Sequence, residues 1–238
     1  MFSNSPLRLL FSSEKQYRLF LLLCLTTVFN FTMIGYRLIS TGFDFTQINN
    51  LYDLAHTRSI TFLFLVWNLF LAWVPYCISL TLERLPFRWL KLPSLCVWLV
   101  FFPNAPYLVT DLLHVHYRPG VPLWYDTLML FSFAWTGLLL GFLSLMEVQR
   151  FLEKKLPQRW VYFIVAAAIG LGAFGVYLGR YQRWNSWDLL LNPYQLFWDS
   201  IAVLAHPLAY LGTFGLAVML AGMLGVVYLT LRTLMSEP

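Results

Sequence analysis

Six long runs free of charged residues organise this chain, at 19–36, 59–82, 92–110, 127–146, 160–179 and 200–231. Crossing about 30 Å of hydrocarbon takes about 20 apolar residues in a helix. The first five runs suit one crossing each. The sixth is too long for one helix and too short for two, and Pro207 divides it. The pattern predicts an all-α fold, a polytopic membrane helix bundle of six transmembrane helices. Its spans fall at about 19–39, 59–82, 92–113, 126–146, 160–179 and 207–231, in one membrane domain over 1–238. Asn192 followed by Pro193 reads as a helix start with proline at the first helical position. This predicts a short interfacial helix over about 193–205, with Tyr194, Phe197, Trp198 and Ile201 on its apolar face.

Composition agrees with the pattern. Only 11% of the residues are charged and 59% are hydrophobic, against about 25% charged in a soluble domain. That excludes a water-soluble globular protein. The first run follows Arg8, Lys15 and Arg18, as a signal peptide would. It is too long for a signal core and no small-residue cleavage pattern follows, so it is expected to be an uncleaved first span. Cys24, Cys77 and Cys96 all fall within spans, which gives neither a disulfide framework nor a metal spacing.

Basic residues set the expected orientation, because Lys and Arg are retained on the cytoplasmic side. With six spans the two termini and the second and fourth loops share a side. That side holds eleven of the sixteen Lys and Arg, so both termini are expected in the cytoplasm. The net charge of +5 is then topology and contact with membrane lipids, and implies no nucleic acid. The unusual polar residues gather on the other side: Asp44, Asp53, His56, Asp111, His114, His116, Arg118, Asp126, Arg180, Arg183 and Asp188.

Depth narrows this set. At about 1.5 Å per residue, Asp111 lies about 28 Å up a third span begun at Leu92, and Arg180 about 30 Å up a fifth begun at Trp160. Asp126 opens the fourth span at that same level. Asp111, Asp126 and Arg180 are therefore expected in one ion-paired layer, facing protein or a wet cavity. Asn68 and Asn104 lie lower, at matching depths, and are expected to pack as polar structural residues, with a mutual hydrogen bond open to them. Pro103 and Pro106 lack N–H groups, which frees the carbonyls of Leu99 and Phe102 and predicts a kink there. Asn104 is the expected repair. Small residues at four-residue spacing, in Gly137/Gly141, Gly175/Gly179 and Ala217/Ala221/Gly225, predict close helix packing. The inner turns LERLPFRW at 82–89 and LEKKLPQRW at 152–160 echo each other, so the second–third and fourth–fifth hairpins are candidates for a duplication.

No motif fixes a reaction. Asp111, His114 and Arg118 are spaced to share one helix face. A catalytic zinc takes three protein ligands, and only an Asp-x-x-His pair is visible, so no metal and no cofactor are expected. The stretch LGRYQRWNSWD joins Arg180 and Arg183 to Trp184, Asn185 and Asp188. Planar guanidinium donors bind phosphate and tryptophans favour the headgroup level, a combination that suits an anionic or lipid-derived ligand.

At these residues the chain resembles a known family. FPNAPYLVTDL at 102–112, the Trp-Tyr-Asp string ending at Asp126 and YLGRYQRWNSWD at 177–188 are similar to an uncharacterised bacterial integral membrane family, domain-of-unknown-function family 1361. The resemblance implies a multi-pass protein of a bacterial inner membrane and brings no activity. The leading expectation is a module that binds or moves an anionic or lipid-derived ligand. Arg180, Arg183 and Arg118 would hold the anionic group, with Asp111 and Asp126 positioning them. The alternatives are an enzyme acting on a lipid-linked substrate, with Asp111 or His114 as base or metal ligand, and an assembly partner of a membrane complex.

Overall fold

The computed structural model describes residues 8, 11, 13–42, 62–117, 120–205 and 211–236. Arg118, Pro207, Asp44, Asp53, His56 and the predicted start of the second span at 59–61 lie outside the described residues.

The described elements are all helices: α1 (Glu14–Ser40), α2 (Leu63–Thr81), α3 (Arg88–Phe101), α4 (Asn104–Thr110), α5 (Leu123–Glu153), α6 (Gln158–Tyr181), α7 (Asp188–Leu191), α8 (Pro193–Ala205) and α9 (Leu211–Ser236). Six stretches are long and apolar enough to cross a membrane, with α3, α4 and the following turn to His114 forming the third. The fold is the expected all-α membrane-type bundle, and α8 occupies the predicted position of the short helix.

Local chemistry explains the ends of α1. Ser13 caps its start by accepting the N–H of Gln16 at 3.1 Å, and Glu14 sits where the helix dipole favours a negative charge. Gly42, at φ +67°, lets the chain leave the helix in a left-handed turn. The fourth span runs past its predicted end at 146. Glu147 pairs with Arg150 at 2.6 Å, and Gln149 donates to Glu153 at 2.6 Å. These pairs three and four residues apart continue the helix after the apolar run has ended.

The fourth span, α5, is the centre of the bundle. It packs against α1, α2, α4 and α6, and α6 in turn packs against α9. Of its apolar window 61% is buried, against 17% for α1, the least buried of the six candidate spans. Opposite ends of the bundle carry different polar groups. Lys154 reaches Glu83 at 2.5 Å, and Arg232 reaches Glu153 at 3.5 Å, at the end where α1 begins and α9 finishes. The Lys154–Glu83 bridge joins the two echoing turns. Their hairpins differ, however: α2 has 19 residues against 31 for α5, and only the first hairpin has a broken second arm.

That broken arm is seated in glycine grooves. A Cβ on Gly137 would lie 2.6 Å from the Ala105 carbonyl oxygen, and one on Gly141 would lie 3.1 Å from the Ala105 Cβ. Across the break, a Cβ on Gly175 would meet Pro103 at 2.6 Å, and one on Gly179 the Tyr107 ring at 3.1 Å. Two of the three small-residue stripes therefore hold the third span from both sides. In the third stripe Ala217 is buried, while Gly225 faces open space.

Gly137→Ala is expected to lower stability by about 1–3 kcal/mol, because the backbone of α4 must shift to admit the methyl. Gly225→Ala is expected to stay within about 0.5 kcal/mol of the parent. Reversible unfolding in mixed detergent micelles measures both.

Candidate functional site

The third span breaks where the prolines predict. α3 ends at Phe101 and α4 begins at Asn104. The carbonyls are rescued in a different register from the expected one. Phe102 keeps a partner, because Ala105 N–H closes a tight turn onto its oxygen at 3.2 Å. It is Phe101 whose oxygen accepts the Asn104 amide, at 2.8 Å. Ser186, on the strap that follows α6, donates to Val100 at 3.1 Å and accepts from Asn104 Nδ2 at 2.9 Å. One asparagine and one serine thus tie the strap to the break.

Above the break, α4 turns three groups the same way: Tyr107, Thr110 and Asp111, three and four residues apart. Arg180 lies along this row. Its Nε donates to Thr110 Oγ1 at 3.0 Å, its Nη2 to Asp111 Oδ1 at 2.8 Å, and its guanidinium carbon sits 5.0 Å from the centre of the Tyr107 ring. Asn68 completes the Asp111 carboxylate from α2, donating to Oδ2 at 3.0 Å. The carboxylate is fully buried and both its oxygens are engaged. Asn68 is thus bonded to Asp111 and Asn104 to Phe101 and Ser186, in place of the mutual bond that equal depth allowed.

Asp126 departs from expectation. It does not join Asp111 and Arg180. It is held by Arg37 at the end of α1, through Nε at 2.8 Å and Nη2 at 3.3 Å. Both side chains are at most 2% exposed, and Arg37 also lies 4.4 Å over the Phe62 ring. The single expected layer is therefore two separate pairs, Asp111–Arg180 and Arg37–Asp126. Equal depth did not bring Asp126 to Arg180 because the end of α1 supplies a closer guanidinium. The helix expected to carry Asp111, His114 and Arg118 stops before Arg118, which itself lies outside the described residues. The helix tightens to a 3₁₀ turn at Asp111–His114 and the chain extends at Val115. His114 there contacts the Asp111 carbonyl at 3.3 Å and packs beside the Phe64 ring. Among the described residues no three of His, Cys, Asp or Glu come close enough to hold a metal ion.

A cleft of about 810 Å³ opens beside the Asp111–Arg180 pair. Its walls come from α2 (Trp67, Asn68, Leu71), the break (Leu99, Asn104, Tyr107), α6 (Leu171, Phe174, Leu178), the strap and α8. From Leu171 to Gly179 it follows α6 for about 12 Å. Leu71, Leu99 and Leu171 line the part nearer mid-span, while Asn68, Tyr107 and Asn185 line the part nearer the helix ends. Of the predicted site residues, Trp184, Asn185, Asn68 and Asn104 line the cleft, while Asp111, His114, Asp126, Arg180, Arg183 and Asp188 do not. Arg183 is exposed on the strap at φ +60°. Asp188 accepts the backbone N–H of Asn185 at 2.7 Å, and Trp184 donates to Asp199 on α8 at 3.1 Å.

Residues 67–227 match the family described as protein of unknown function, DUF1361. The chain belongs to this family. No curated protein and no solved structure matches it. The DUF1361 match spans the break, the strap, α8 and every residue that lines the cleft. It leaves out α1, which nonetheless supplies Arg37 to Asp126 and Asn30 to Thr136 at 2.9 Å within the bundle. In this member of DUF1361 the first span is thus part of the packed core.

Sequence reasoning missed Arg37, Tyr107, Thr110, Ser186 and Asp199. A signal existed for two. Arg37 ends an apolar run at the level of Asp126, and Asp199 is the one acid in the apolar 193–205 segment. Tyr107, Thr110 and Ser186 fall within the family-like strings at 102–112 and 177–188 but carried no chemical signal of their own, since tyrosine, threonine and serine are ordinary in a membrane helix or loop.

Arg37→Met is expected to cost about 3–5 kcal/mol, because it strands Asp126 as a buried, unpaired carboxylate. Adding Asp126→Leu is expected to restore most of that loss. Unfolding of the single and double variants in detergent tests the pair, and an equally unstable double variant would refute it.

Proposed function

We propose that this protein is a membrane-embedded binding module for a lipid-derived amphiphile, seated in the cleft between α2, the broken third span, α6 and α8. The observation that carries this reading is the cleft itself, about 810 Å³ with aliphatic and aromatic walls and amide, hydroxyl and indole groups gathered toward one end. Binding sites for small molecules share that plan, mostly apolar with a few placed polar groups. Tyr194 and Phe197 of α8 contribute to the wall and remain more than half exposed, so the wall has surface left for a chain to cover. The enzyme alternative has less support, since Asp111, His114 and Asp126 do not converge on a shared cavity.

The basic excess at the end where α1 begins and α9 finishes supports a cytoplasmic location for that end, in the inner membrane of a bacterial cell. The cleft then faces the outer leaflet.

Native mass spectrometry of protein purified in mild detergent is expected to retain a lipid-sized adduct. Leu171→Trp, which fills the cleft from an exposed position on α6, is expected to abolish it. Retention of the adduct in that variant, or its absence from the parent, overturns the reading. Partner subunits without lipid would favour the assembly role instead. Orientation is tested in a background with the three native cysteines replaced by alanine. An impermeant maleimide added to whole cells is expected to label Asn185→Cys and not Lys155→Cys.

A further inference from the structure

The asparagines and serines of the cleft share a bias. Asn68 directs its amide nitrogen to the Asp111 carboxylate at 3.0 Å. Asn104 directs both its amide hydrogens inward, to the Phe101 carbonyl at 2.8 Å and to Ser186 at 2.9 Å. Asn185 turns its amide nitrogen to the Asp188 carboxylate at 3.3 Å. Carbonyl and carboxylate oxygens only accept, so each partner fixes which end of the amide is nitrogen. Among the described residues, no donor reaches Oδ1 of any of the three. The two serines in the wall also donate inward, Ser186 to Val100 at 3.1 Å and Ser200 to Leu196 at 2.7 Å.

Charge is missing from the same surface. No charged side chain lines the cleft among the described residues. The adjacent guanidinium, Arg180, is held by Asp111, Thr110 and the Tyr107 ring, and the adjacent acid, Asp111, is fully buried behind Asn68. A phosphate or carboxylate seated here would meet three amide oxygens and the neutral donors of Trp67, Tyr107 and Tyr194, with no cation to balance it. Burying a charge without a partner is strongly unfavourable. A hydroxyl-bearing head has the opposite fit, because each O–H supplies the donor that an amide oxygen lacks.

We infer that the cleft selects an amphiphile whose head is uncharged and carries hydroxyl donors, as a glycerol or sugar head does, over one bearing a phosphate. The inference rests on the amphiphile-binding reading and narrows it: it assigns recognition to Asn68, Asn104 and Asn185 rather than to the arginines. Asn185 is the rim contact, and Asn68 and Asn104 are the deeper ones.

The test uses two probes with the same chain and different heads, monooleoylglycerol and oleoyl lysophosphatidic acid, titrated separately onto the full protein in delipidated mild-detergent micelles and read by native mass spectrometry. Monooleoylglycerol is expected to bind at least ten-fold more tightly. Both probes are expected to be lost in Leu171→Trp. Asn185→Ala, an exposed substitution that leaves the packing intact, is expected to weaken monooleoylglycerol several-fold and leave lysophosphatidic acid unchanged. Equal or tighter binding of lysophosphatidic acid, still lost in Leu171→Trp, overturns the head-group inference and leaves amphiphile binding standing. Binding of neither probe, or binding that survives Leu171→Trp, overturns the amphiphile reading together with it.

Discussion

Lipid offers no hydrogen bonds, so a broken backbone inside a membrane must find its partners within the protein. The break at Phe102 and Pro103 imposes that demand in the middle of the third span, and much of the surrounding structure answers it. Asn104 and Ser186 take the carbonyls of Phe101 and Val100. Because Ser186 comes from beyond α6, the repair also draws the strap across the break. Gly137 and Gly141 on one side and Gly175 and Gly179 on the other let α4 sit close enough for these bonds to form. The cleft is the space left where the strap and α8 pass over the bent span.

The two buried ion pairs follow the same logic with charge in place of backbone dipoles. Each carboxylate is matched at its own position, Asp111 by Arg180 and Asn68, Asp126 by Arg37. The pairs tie different helices into the bundle: the first joins α2 and α6 to the end of the third span, and the second joins α1 to α5. Neither lines the cleft. The two pairs therefore brace the site, and its wall is left to neutral groups, with the asparagine and serine donors turned into the protein. At the cleft wall the strap and the bent span present an uncharged surface.

The roles of particular residues show how far a linear reading reaches. Asp111 and Arg180 were found by depth alone, because both sit at the ends of long apolar runs and a helix converts sequence distance into height. Asn104 was found by its place between two prolines. Depth failed for Asp126, since height along a helix says nothing about which neighbour stands beside it. The spacing of Asp111 and His114 misled for a different reason: it assumed a continuing helix, and the helix ends at the 3₁₀ turn. Tyr107 and Thr110 acquire their roles only because Arg180 lies along their face.

By itself, the sequence determined that this is a six-span helical protein with a kinked third span and a short helix at Pro193. Those features depend on hydrophobic run length, proline chemistry and capping, which act within a few turns of chain. The tertiary structure alone decided that Asp126 meets Arg37, that two glycine stripes hold the break while Gly225 faces open space, and that Arg180 stands behind the cleft. These outcomes depend on how helices are rotated and which ones touch. Rotation and contact are fixed by the packing of all the helices together.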